Sequence, residues 1–461
     1  MKTKEETATI IAELAALLPP GEITTEAAAI QEHSGDRWFA SHPPEVVALP
    51  RSTESVSRLL RFANQHDLPV TARGAGVGYV GGCVPVRGGV ALSLKQMDRI
   101  QEINDRDFVA VAQAGVTTQA LQEAAEKKGL YYPPDPASRK ESSIGGNIAT
   151  NAGGPRCLKY GVTRDYVLGL EAVLANGDVV RVGGRTHKNK TGFDFSRLFT
   201  GSEGCLAVVT TATLKLIPLP PSRACLAVGF DSMSQAIGAL HAIFAAGFLP
   251  CALELADAFT LAAASKFTGA HHLLGCQAHL IVELDGQVAS VQSEIAEVER
   301  IIRQQGIRSL IPALGAAACE DIWQIRRDFS NALKSTGLTK LNEDIVVPRG
   351  KLADLFEFAA RLQAKYRLQI ACFGHAGDGN IHTNIMVDYH QPGAKERSEE
   401  ALDELFRQVL AWEGAITGEH GIGLAKRRWW PLAVSPEVAA MHRAVKHALD
   451  PRGILNPGKW V

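Results

Sequence analysis

Short apolar runs alternate with amphipathic stretches along the first third of the chain. VVAL from Val46 precedes SVSRLLRFANQH, whose apolar positions recur every three or four residues behind a cap at Ser52 or Thr53. LPVTAR from Leu68 follows, and strand, helix, strand in that order predicts a βαβ unit. FVAVAQAG (108–115) and TTQALQEAAEKKGL (117–130) add a second strand and helix. In LEAVLANGDVVRVGG two apolar runs flank Asn176-Gly177, which predicts a two-residue hairpin turn. The early chain is therefore mixed α/β rather than all parallel.

Proline interrupts this pattern in LKLIPLPPSR, where Pro218, Pro220 and Pro221 disfavour both helix and central strand and mark a domain boundary. Beyond it, helices such as SMSQAIGALHAIFAAG (232–247) and SVQSEIAEVERIIRQQG (290–306) surround strands such as HLIVEL (279–284), which predicts a second, α+β domain. The tail PEVAAMHRAVKHALDPRGILNPGKW reads as one helix and a turn that packs back on the first domain. The expected plan is residues 1–219, 220–430 and the returning 431–461. MKTKEETATIIAELAALLPPGE reads as an amphipathic surface helix and not as a signal peptide: Glu13 breaks its apolar stripe and no small-residue cleavage site follows. No apolar run approaches the roughly 18 residues of a membrane span.

Composition narrows the function. The chain has 461 residues, 46% hydrophobic and 21% charged, which fits a globular enzyme of more than one domain and neither a disordered chain nor a membrane bundle. Lys and Arg (48) nearly cancel Asp and Glu (49), whereas a general nucleic-acid binder carries a basic excess. The eight cysteines lack any Cys-x-x-Cys spacing, so zinc-ribbon and iron–sulfur ligation are excluded and buried reduced thiols are expected.

The 43 glycines exceed the usual share of about 7% and they cluster. RGAGVGYVGG (73–82) follows a predicted strand, and such a run lets successive backbone N–H groups turn inward around a pyrophosphate. The strand GGVALSL comes next, where a Rossmann fingerprint needs a helix. Taken alone, the run also fits a ligand-free hairpin. It is joined by PPDP (133–136), SSIGGNIATNAGG (142–154) and TGSEG (200–204). Three glycine-rich loops with small hydroxyl and amide side chains suit a long dinucleotide held mainly by backbone groups.

These segments, in this order, resemble the FAD-binding domain of the vanillyl-alcohol oxidase and p-cresol methylhydroxylase superfamily over most of residues 45–217. The resemblance implies an α+β protein: a PCMH-type FAD-binding domain of two α/β subdomains, and an α+β substrate-binding cap with an antiparallel sheet. It further implies FAD contacts at Arg73, Gly74, Ala75, Gly76, Val77, Gly78 and Tyr79, then Pro134, Asp135, Ser143, Gly145, Asn147, Thr150, Asn151, Gly154, Gly161, Gly204, Val209 and Asn456. Some relatives attach the flavin through a histidine in the first loop. Here that loop has neither His nor Cys before Cys83, so noncovalent FAD is expected.

In IACFGHAGDGNIHTNI, Asp378-Gly379 flanked by apolar residues predicts a two-residue turn that sets His375 directly opposite His382, with Asn384 on the same face. GEHGIG, after a helix ending near Trp412, offers Glu419 as a third ligand. Two imidazoles and one carboxylate leave an open position, as in catalytic metal sites. Taken alone, two histidines beside a turn are more often hydrogen-bonding residues than ligands.

The stretch from HAGDGNIH through GEHGIG to LNPGK resembles the C-terminal half of the FAD-linked 2-hydroxy acid dehydrogenases, a group with glycolate, D-lactate and D-2-hydroxyglutarate members. That resemblance implies that His375, His382 and Glu419 ligate a divalent metal (zinc, manganese or iron), and that His420 is the base. Arg326 and Lys340 would bind the substrate carboxylate, with Asn384 beside it. The implied reaction oxidises a small (D)-2-hydroxy acid to the 2-oxo acid by metal-assisted deprotonation of the hydroxyl and hydride transfer to flavin N5. Asn342-Glu343-Asp344 after Lys340 follows the glycolate and lactate members. The alternatives are a D-2-hydroxyglutarate dehydrogenase-like enzyme, a lactone or phenol oxidase of the superfamily, and a noncatalytic flavin-binding subunit. No second cofactor motif is visible in the sequence, so electrons are expected to leave through something outside it: partner subunits carrying iron–sulfur centres, a quinone, a cytochrome or oxygen all fit, and the resemblance to the glycolate-oxidising members implies electron-transfer partner subunits. The expected setting is cytoplasmic, or peripheral to a membrane through such partners.

Overall fold

A computed structural model describes residues 4–461. The chain divides into two compact units. One comprises residues up to Ala152, Val162–Leu219 and Glu419–Val461; the other comprises Gly153–Gly161 and Pro220–Gly418. The molecule is mixed α+β, with two smaller sheets of four and five strands in the first unit and one antiparallel seven-stranded sheet in the second.

Within the first unit, the strands Val46–Ala48 and Val70–Arg73 both run parallel to Val90–Ser93, which lies between them. The helix Thr53–Gln65 connects them, and Ser52 caps it by accepting from the Ser55 N–H. Val56, Leu59, Leu60 and Ala63 lie fully buried against Val46, Val70 and Leu92. A second sheet of five antiparallel strands follows: Ile100–Asn104, Val109–Gln113, Val208–Lys215, Val167–Val173 and Val179–Gly183, in that spatial order. The Asn176-Gly177 hairpin forms, but its turn is one residue longer than the sequence predicts. The Leu174 N–H bonds Asp178 O and Val173 pairs with Val179. The intervening Ala175-Asn176-Gly177 ends with Gly177 at φ +86°, the left-handed closing residue of a three-residue loop. The C-terminal helix Pro436–Leu449 leads into Ile454 and Leu455. These two are buried in the first core, and backbone hydrogen bonds tie Val70 to Ile454 and Asn456.

The second unit is built on seven antiparallel strands. Their order is Ile307–Leu314, Ser222–Phe230, Ala278–Gly286, Ala252–Asp257, Gln369–His375, Asn380–Val387 and Thr339–Val346. The central strands are buried over most of their length, and their apolar residues are interspersed with buried polar ones such as Glu283, His375, His382 and Asn384. Residues 153–161 dock on strand Ala278–Gly286. Arg156 donates to both oxygens of Glu283 at 3.0 and 2.9 Å, and Tyr160 Oη donates to Asp285 at 2.8 Å.

Candidate active site

The three glycine-rich stretches, together with Asn456, surround one strand end. The loop after strand Val70–Arg73 carries Gly74 to Tyr79. Among the described residues, the N–H groups of Ala75 to Tyr79 find no acceptor in the chain. A run of unsatisfied amides on a glycine loop fits a diphosphate. Arg73 does not point out with them. Its guanidinium lies behind the loop, donating to Gly35 O at 2.5 Å, Glu32 O at 3.2 Å and Cys83 Sγ at 3.2 Å. Gly76 sits at φ +70° directly over that guanidinium, so a Cβ there would overlap it. The glycine is fixed both by its dihedral and by the arginine beneath it.

The later segments brace one another. Ser143 caps helix Ile144–Thr150, and Asn151 closes it in the left-handed region. Asn147 donates to Thr118 Oγ1 at 2.6 Å, and Gln122 donates to Pro134 O at 3.0 Å beside the buried Asp135. Gly145 packs on Ala114, Thr150 donates to Gly146 O, and Val209 is buried in strand Val208–Lys215. Gly204 lies near Asn456, whose buried amide donates to Gly82 O at 2.9 Å and Glu203 O at 2.7 Å. Gly154 and Gly161 belong to the segment that docks in the second unit.

The histidine hairpin of the second unit has a different register from the predicted one. His375 pairs with Asn380, and His382 pairs with Phe373, so the turn spans Ala376–Gly379 instead of Asp378-Gly379 alone. The difference is two residues, which returns every side chain to its original face. His375 and His382 therefore remain neighbours, now on a diagonal, with ring centroids 5.5 Å apart and planes at 78°. Both are buried.

Glu419 completes the set. Its position follows from Asp344, a fully buried residue paired with His382 on the neighbouring strand. Asp344 accepts from the Gly418 N–H at 2.6 Å, from Thr417 Oγ1 at 2.9 Å and from Asn380 Nδ2 at 3.2 Å. Glu419 is the next residue after Gly418. The ligand atoms of His375, His382 and Glu419 all lie within 4.8 Å of one another. Two imidazoles and a carboxylate at that separation fit a divalent transition metal. His420 follows, 3.8 Å from Glu419 through Nε2 and tilted against Tyr79 with centroids 5.5 Å apart. Its loop is anchored by Glu203, which accepts from Ile422 N and Gly423 N, each at 2.8 Å.

Arg326 and Lys340 lie on the same unit as the histidines. Arg326 donates Nε to Glu254 Oε2 at 2.6 Å and stacks over Phe373. Burial pushes Lys340 down to about 7, helped by the positive charges of Lys334 and Arg326. The hydrogen bond of its Nζ goes to Ser330 Oγ at 2.7 Å. Asn384 is fully buried and donates to Ala371 O and His382 O, both at 3.0 Å, while its Oδ1 has no partner among the described residues. Sequence reasoning missed Glu254, Asp344 as an anchor and Glu203 as an anchor. A glutamate flanked on both sides by apolar residues in the strand ALELAD was the available signal for the first.

Comparison with known proteins shows the family of the chain. A family model described as "FAD linked oxidases, C-terminal domain" matches residues 219–460, and one described as "FAD binding domain" matches residues 44–183. The chain belongs to the FAD-linked oxidase family. Among this family's curated members it is 40% identical to the glycolate oxidase subunit GlcD of Bacillus subtilis (strain 168), over 90% of this chain and 88% of that one. It is 34% identical to a D-lactate dehydrogenase of Anaerostipes hadrus, over 90% and 89% of the two chains. The FAD-linked oxidase fold also superposes on p-cresol methylhydroxylase with substrate bound at a TM-score of 0.81 and 19% identity, covering 99% of this chain and 97% of the other. Among the described residues of this FAD-linked oxidase, no helix is long and apolar enough to cross a membrane.

Proposed function

We propose that this FAD-linked oxidase is a dehydrogenase that converts a small (D)-2-hydroxy acid, glycolate or D-lactate, to its 2-oxo acid. The observation that carries this reading is the convergence of His375, His382 and Glu419 within 4.8 Å beside a candidate base, His420. The names of the relatives, glycolate oxidase subunit and D-lactate dehydrogenase, support the substrate class.

His375, His382 and Glu419 would hold the divalent cation, and the loops around Gly74–Tyr79, Ser143–Asn151 and Gly204 would hold FAD. When bound, the cation supplies Lewis-acid polarisation of the substrate's α-oxygen and FAD supplies the two-electron acceptor. His420 accepts the hydroxyl proton, a task suited to an imidazole near neutral pH. Arg326 and Lys340 bind the substrate carboxylate, and the partnerless Asn384 Oδ1 offers an acceptor to a substrate hydroxyl. FAD is bound noncovalently: the one thiol at the end of the first glycine loop, Cys83, is pushed up to about 11 by burial and is a poor nucleophile. Electrons then pass to a separate partner subunit.

Anaerobic mixing with glycolate, D-lactate, L-lactate and D-2-hydroxyglutarate tests the reading through the flavin absorbance. Bleaching by glycolate or D-lactate is expected, and its loss after chelation with FAD retained. His420→Ala should keep FAD and abolish bleaching. No bleaching by any 2-hydroxy acid overturns the reaction, chelator-insensitive bleaching overturns the metal's part, and near-normal bleaching by His420→Ala overturns the base.

A further inference from the structure

Glu254 lies in the middle of the seven-stranded sheet, on strand Ala252–Asp257, and is 2% exposed. Its two oxygens face different partners. Oε1 takes His375 Nδ1 at 2.5 Å, and Oε2 takes both Nε and Nη2 of Arg326 at 2.6 and 2.5 Å. Strand register places Glu254 directly beside His375. Arg326 is itself only slightly exposed and its guanidinium lies over the rings of Phe329 and Phe373, so it has little room to turn away. A buried carboxylate is strongly disfavoured unless both oxygens are matched, and here one oxygen is matched by each neighbour.

From this geometry we infer that Glu254 is a positioning residue that joins the metal-ligand imidazole of His375 to the guanidinium of Arg326, so that the two are set by one carboxylate. Accepting the Nδ1–H of His375 fixes the ring's tautomer and leaves the Nε2 lone pair for the cation. Arg326 in turn fixes which way the carboxylate faces. Arg326 therefore acts on metal binding without touching the metal, and only through Glu254. This inference rests on the proposed metal site and names how that site is held.

The test is Mn2+ titration of the full-length, chelated protein, reading free Mn2+ by electron paramagnetic resonance. Glu254→Gln should weaken Mn2+ binding about 10- to 100-fold, the usual effect of losing an outer partner of a ligating histidine. Arg326→Lys keeps the charge but loses the two-nitrogen fork, and should weaken Mn2+ binding severalfold. In the Glu254→Gln background the same Arg326→Lys change should do nothing further, because the link is already broken. Equal fold-changes in both backgrounds, or an unchanged affinity in Arg326→Lys, would overturn the inference. Glu254→Asp, which retains the charge but is too short to reach both partners, serves if the glutamine variant does not fold, and should weaken binding in the same way. A second readout needs no metal: 15N spectra of the histidine side chains, with His375 assigned through His375→Gln, should show the Nδ1–H tautomer in the parent and its loss in Glu254→Gln. Failure of the parent protein to bind Mn2+ overturns the metal reading of the site, while an unaltered tautomer in Glu254→Gln overturns the role given to Glu254.

Discussion

Buried ionisable side chains in the second unit separate into those with opposite charges and those without. Glu254 is enclosed, which alone would raise its carboxyl, yet Arg326 and His375 hold it below the ordinary glutamate range. His279 has no such help. It lies in the core strand Ala278–Gly286, and burial, with a further push from His272, drives its pKa down to about 3. The folded state therefore keeps this imidazole neutral, whereas the unfolded chain protonates it near the ordinary value of about 6.5. Between those values the unfolded state binds more protons, so the contribution of His279 to stability is complete above about pH 6.5 and is lost as pH falls towards 3. Denaturant midpoints measured from pH 7 to pH 4 should drop on the acid side, and His279→Phe should flatten that drop. Glu254 shows why some of the site escaped the sequence. Its partners lie 72 and 121 residues away, and no local pattern connects a strand glutamate to a distant arginine and histidine.

At the level of elements, much was legible because local chemistry and tertiary structure agree. Ser52 and Ser232 cap helices where the polar residue meets the apolar period, and the glycine run leaves a strand end as its composition suggests. The histidine hairpin was legible by face but not by register. Alternation has a period of two, so a two-residue slip costs the pattern nothing, and Asp378-Gly379 reads equally well as a whole turn or as half of one. Val347 decides between them: its N–H bonds Gly379 O at 3.1 Å and its own carbonyl leaves no room for a Cβ on Gly379, which sits at φ +87°. Gly379→Ala should therefore destabilise the protein by more than about 1 kcal/mol, measured as a lower denaturant midpoint. A variant with an unchanged midpoint would mean that this turn relaxes without cost.

For the molecule as a whole, the second unit is assembled from two pieces of chain. Residues 153–161 interrupt the first unit's sequence and bring Arg156 to Glu283, a side chain 1% exposed that also meets Trp323 Nε1 and, at 3.7 Å, Arg223. Arg156→Met removes the Nη2 that donates to both oxygens of a buried carboxylate, a change that commonly costs about 3–5 kcal/mol. The remaining Arg223 and Trp323 contacts place the expected loss at the lower end, and denaturant unfolding followed by tryptophan fluorescence would measure it. The same interruption bears on recombination between relatives. A crossover cut only at the proline-dense stretch near residue 219 would give residues 220–418 of one parent and the nine-residue plug of the other, mismatching Arg156, Lys159 and Tyr160 with the acids they seat on. An exchangeable cassette must therefore carry the plug with the rest of the second unit, so the heritable block that encodes this unit is discontinuous in the gene.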